Sequence, residues 1–336
     1  MKAVILFYSL LVSTLCYAAD PGYHIIKKIH LGGVGGWDCL IVDGEARRLY
    51  ISRSTHVMVV DIDADKVVGD IADTPGVHGI AIAPELNRGF TSNGKANTST
   101  IFDLKTLKTL GQVKTGENPD FIIYDPASHR VFTFNGRSKD ATAFDAKSGE
   151  VAATIALGGK PEFAAADGKG KIYANIEDTS EVVEINSQKL SLTKRYSLKP
   201  CEEPSGMGLD KEHHRVFSGC HNKVMTVLDT ESGKVISVVP IGEGVDGGGF
   251  DEKTGLAFSS NGDGTLTVVR QSPPGTYEVA ENVATHRGSR TMAIDPRTGN
   301  IYLPAAEFSP PEPSAAEARP RPVMVKDSFS VVVVGK

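Results

Sequence analysis

The chain has 336 residues, 40% of them hydrophobic, enough for a large core. Charged residues make up 23% and the net charge is −5, which argues against a duplex-nucleic-acid binder, since that role needs a basic footprint. The 35 glycines and scattered β-branched residues point to many turns and an all-β chain.

In chain order, the first element is a targeting segment. Lys2 gives a positive start, Val4 to Cys16 are apolar, and Ala18 and Ala19 are small residues suited to cleavage, so residues 1–19 read as a signal peptide. The apolar run is too short for a membrane anchor, and no later run is long enough. The expected location is periplasmic or secreted. Residues 20–336 then read as one domain.

A repeat runs from Asp43 to the C-terminus. Its centre is an Asp followed seven residues later by an aromatic: Asp43 with Tyr50, Asp125 with Phe132, Asp210 with Phe217, Asp251 with Phe258 and Asp295 with Tyr302. The second copy has Ala83 with Phe90, and the fourth has Asp167 with Tyr173, one residue tighter. Seven copies at 40 to 44 residues have the period of four-stranded propeller blades. In the third copy Phe121 to Tyr124, Val131 to Phe134, Ala141 to Phe144 and Val151 to Ile155 alternate as strands, with turns at Asp125-Pro126, Asn135-Gly136 and Ser148-Gly149. The seventh copy stops one strand short, and Tyr23 to Leu31 is an unused strand. The expectation is a seven-bladed β-propeller whose N-terminal strand completes the last blade and closes the ring. Residues 304–327, rich in Pro, Ala and Glu, are expected as a stiff extended loop inserted in blade seven.

These units resemble the YVTN-type β-propeller repeat and the YncE-like group of exported propellers. Gly116-Glu117-Asn118-Pro119, Asp125-Pro126, Arg130 and Val131 to Asn135 show the pattern best. The resemblance implies the fold and no single reaction. The Trp37-Asp38 pair precedes a first strand, so it is not the dipeptide of a WD40 blade.

Five residues before each repeat Asp lies the entry to a first strand, at the channel mouth. These positions hold Asp38, His78, Asp120, Glu162, Ser205, Asp246 and Arg290. Seven polar residues in register before apolar strands predict a ring around a concave ligand position. The alternative for these residues is a solvated tunnel lining. Blade order puts His78 between Asp38 and Asp120, and Arg290 between Asp246 and Asp38, where it is expected to pin the ring closure. A secondary circle of ligand contacts is Trp37, Arg53, Asn93, Asn135, Asn175, His221 and Asn261, several of them in Asn-Gly turns. The repeat aspartates on the opposite face, and Asp61, Asp103, Asp145, Glu184 and Asp229 before the last hairpin, are expected to bond nearby turn backbone.

Cys201 and Cys220 fall on the upper face of blade five and are expected to form a disulfide; Cys39 reads as a buried small hydrophobe. No standard catalytic motif is present, and no cofactor is assigned. The sequence therefore points to a monomeric binding module that takes a small ligand or a cell-envelope partner at the mouth. The alternative is a propeller lactonase or hydrolase, with a divalent cation such as calcium among Asp38, Asp120, Glu162 and Asp246 and His78 as acid or base. Nucleic acid is not an expected partner, because single strands want a cationic, aromatic lining.

Overall fold

The computed structural model describes residues 21–272, 275–310 and 323–336. The proposed leader lies outside them. Seven four-stranded antiparallel sheets follow one another as the blades of a propeller. Blade three is typical, with strands Pro119–Asp125, Arg130–Asn135, Asp140–Asp145 and Val151–Ala156 paired in order. Blade seven uses Ala293–Ile294, Ile301–Ala305 and Ser330–Gly335, and its outer strand is His24–His30, paired with Ser330–Gly335. The ring is thus closed by joining the two ends of the chain. Among the described residues helix is confined to two single turns, Pro84–Leu86 and Glu177–Thr179.

The repeat aromatics explain the period. Tyr50, Phe90, Phe132, Tyr173, Phe217, Phe258 and Tyr302 are all buried in second strands, where they fill the space between neighbouring blades. Tyr50 meets Phe102 of the next blade at 6.0 Å between ring centres, and Phe90 meets Phe144 at 5.9 Å. The repeat aspartates work as turn anchors. Asp43 accepts from the amides of Glu45 and Ala46, and Asp295 from that of Arg297. In the last hairpins Asp61, Asp103, Asp145 and Asp229 do the same. Glu184 does not. In blade four that turn is held by Asn186, which accepts from Gln188 and Lys189, while Glu184 is buried against Thr193 and the Tyr196 hydroxyl.

In blades one to three the arginine five positions after the repeat position staples the blade to the next. Arg48 donates to the Leu104 carbonyl, Arg88 to that of Ala146 and Arg130 to that of Ser187, each in the next blade. Between blades five and six the inner strands touch backbone to backbone. A Cβ on Gly206 would sit 2.4 Å from the carbonyl carbon of Gly247, so only glycine fits there.

The seam between blades seven and one differs from expectation. Arg290 pairs with Asp246 of blade six at 3.0 Å. The seam is instead crossed by Arg47, which binds the fully buried Asp295 of blade seven at 2.7 Å and Asp63 of blade one, and by Thr291, whose hydroxyl donates to the Asp38 carbonyl. The described ends of the insertion are not an extended loop: Phe308–Ser309 pairs with Val323–Met324 as a short ladder. Among the described residues no helix is long and apolar enough to cross a membrane.

Candidate functional site at the channel mouth

Asp38, His78, Asp120, Glu162, Ser205, Asp246 and Arg290 come from seven blades, and all seven line one cavity of about 270 Å³. Their spacing from the turn aspartates explains the convergence. Each turn anchor fixes the lower end of an inner strand, so the residue five positions earlier stands at its upper end.

The entries are then held by their neighbours. The Ser92 hydroxyl donates to the Asp120 carbonyl, Ser260 to that of Arg290, and the Asn175 side chain to that of Ser205. The Ser205 hydroxyl donates in turn to the Asp246 carboxylate at 3.0 Å. The side chains therefore project from braced backbone.

At the mouth His78 Nδ1 lies 2.6 Å from Asp38 Oδ2 and 3.2 Å from Asp120 Oδ1. Burial opposes charge on the imidazole, but the two carboxylates outweigh it and raise its pKa. The same burial raises the pKa of Asp120, partly offset by His78. Asp246 is pushed up to about 6 by burial, against the pull of Arg290. Glu162 is also raised, by burial and then by the Asp120 charge, even though Lys160 binds it at 2.7 Å. Lys160 bridges Glu162 and Glu177, and these two acids hold its charge above the ordinary lysine range despite burial.

Lys160, Glu177, Phe121 and Phe163 belong to the site and are missed by the sequence reading. Phe121 and Phe163 are readable in hindsight, since each follows an entry acid. Their rings lie 4.3 Å apart, tilted by 31°, in the same cavity as the charged groups. Glu177 carries no repeat signal, because the hairpin connection of blade four is formed by the turn Glu177–Thr179 in place of an Asn-Gly pair.

The secondary circle largely fails as a set of ligand contacts. Of its members, His221 alone lines the cavity, where its Nδ1 lies 3.0 Å from Glu203. Asn93, Asn135 and Asn261 are wholly buried. Asn135 donates to Asp140 and Thr142 and accepts from Thr133, and the other two make matching bonds to Thr or Ser. They are not the positive-φ turn residues either; those are Asn97, Lys139 and Gly264. Asn175 is spent on the Ser205 carbonyl. Arg53 is fully buried, donates to the carbonyls of Gly32, Val34 and Gly35, and lies 3.7 Å over the Phe329 ring. Trp37 packs on Phe329 and Phe308 at 5.3 and 5.9 Å, away from the mouth.

Cys201 and Cys220 are joined in a disulfide, and Cys39 is buried with its thiol pKa raised by burial and by Asp38. The four acids suggested for a cation do not meet at one point. Asp38 and Asp120 converge on His78, whereas Glu162 is engaged by Lys160 and Asp246 by Arg290 and Ser205.

No family model and no curated protein matches the chain. Among solved structures, a chain of hydrazine synthase from Kuenenia stuttgartiensis superposes with a TM-score of 0.71 at 14% identity, over 81% of this chain and 93% of that one. The likeness is one of fold. At that identity it carries no chemistry across.

Proposed function

We propose that this propeller is an exported binding protein of the YVTN-repeat kind whose channel mouth takes a small cationic ligand. One observation carries the reading. A single cavity gathers five carboxylates (Asp38, Asp120, Glu162, Glu177 and Asp246) against two permanent cations (Lys160 and Arg290) and two histidines (His78 and His221). A surplus of negative charge in a half-buried cleft is stabilised by an arriving cation, and the adjacent Phe121 and Phe163 rings offer it an aromatic wall. The leader-like residues 1–19 and the Cys201–Cys220 bridge support export, since disulfides persist in oxidising compartments.

A thermal-shift panel of small amines, guanidinium and calcium against small carboxylates tests the reading. Cations raise the melting temperature, carboxylates do not, and Asp120→Asn weakens the effect. Equal shifts from both classes, or none from any cation, would refute it.

A metal-dependent hydrolase is the second reading, favoured by Asp38, His78 and Asp120, whose ligand atoms all lie within 4.8 Å of one another. Such an ion would displace the proton that His78 now shares with the acids. Turnover of a lactone panel that a chelator abolishes would promote it over simple binding.

A further inference from the structure

Below the charged ring the channel continues as a space of about 520 Å³, and Cys39, Phe121 and Phe163 line both compartments. That volume lies within the roughly 300–1,000 Å³ of small-molecule sites. Its walls are inner-strand residues turned to the axis, among them Ile41, Ile82, Ile123, Phe250 and Ile294. Phe121, Ile122 and Ile123 all border it, Ile122 with almost none of its surface exposed. The side chains along this stretch are mainly apolar, so an alkyl chain gains by leaving water there.

We infer that the ligand is an amphiphilic cation, with an ammonium or guanidinium head among the mouth carboxylates and an unbranched apolar tail passing Phe121 and Phe163 into the channel. The inference rests on the cationic reading of the mouth and adds the tail. Head and tail requirements are separate, because the acids stop at the entries and apolar side chains follow deeper along the strands, Phe121 and Phe163 first and then Ile41, Ile82, Ile123 and Ile294. The aromatic pair at the junction suits the first carbons of the chain, which carry part of the positive charge.

Calorimetric titration of the full-length protein with butylamine, hexylamine and octylamine, each below its critical micelle concentration, tests this, with octanol and octanoate as controls. Affinity is expected to rise roughly three- to fourfold per methylene, on the order of 100-fold from butyl to octyl. Octanol should bind more weakly than octylamine, and octanoate not at all. Equal affinities for butylamine and octylamine would overturn the tail and leave the cationic mouth standing. No binding by any amine, or octanoate matching octylamine, would overturn both. In Ile123→Thr the octyl-to-butyl ratio should fall several-fold, and an unchanged ratio would contradict seating in the channel.

Discussion

Arg53 shows how one side chain is committed to the scaffold. Its guanidinium satisfies three carbonyls of the segment leading into blade one and covers Phe329, and burial lowers its pKa to about 10. Lysine keeps a charge but loses the planar fork that serves several acceptors at once. Arg53→Lys is therefore expected to cost about 3 kcal/mol by denaturant unfolding, and a loss under 0.5 kcal/mol would contradict this role. Asp246 shows the opposite case, a residue whose charge strains the fold. Its pKa is raised from 3.8 to about 6, so its contribution to stability is present below about pH 4 and lost as pH rises through 6. Arg290 is mostly exposed and takes water if its partner goes. Asp246→Asn should thus gain on wild type by roughly 2 kcal/mol between pH 4 and pH 8. A difference that stays constant with pH would show that this carboxyl is not perturbed.

At the scale of elements, blade five is fastened by the Cys201–Cys220 bridge and by its glycines. The bridge ties the approach to the first strand, Pro204–Asp210, to the end of the second, Arg215–Cys220. Closing a 19-residue separation stabilises by about 3 kcal/mol, so Cys201→Ser with Cys220→Ser should lose roughly that amount in denaturant melts. A melt matching wild type would mean the bridge holds nothing that packing does not. Gly206→Ala should cost about 1–3 kcal/mol, because the added methyl forces blades five and six apart. These elements also show what a sequence can tell. The entry ring was legible because a turn Asp, or Ala83 at the same place in blade two, marks the phase of each inner strand, and a count of five residues carries that phase to the mouth. The asparagines were misread because their partners lie on the facing strand: Thr142 decides that Asn135 turns inward, and nothing next to Asn135 says so. Blade four escaped for a similar reason. Its hairpin keeps the usual length, but its anchor is Asn186, an amide where blades one, two, three and five have Asp, and Glu177 takes the place that Gly136 holds in blade three and reaches the mouth unannounced.

The whole molecule is a ring, and its two properties come from closure. The first is mechanical. His24–His30 pairs with Ser330–Gly335, and Lys27 reaches across to Asp65 of blade one, so both chain ends hold the same blade. Closure protects the edges that seven separate sheets would expose. The second is electrostatic: acids distant in sequence share one opening, and none of them is acidic enough alone to demand a cation. Calorimetric titration of butylammonium at pH 7.5 and pH 5.0 tests that most directly. The acids at the mouth must be ionised to attract it, and Asp246 near 6 takes up its proton in between. The expected result is proton release on binding at pH 5.0, where Asp246 is protonated in the free protein, and affinity about tenfold weaker there than at pH 7.5. Equal affinity at the two pH values, or butyrate binding as tightly as butylammonium, would contradict an acidic mouth built for cations.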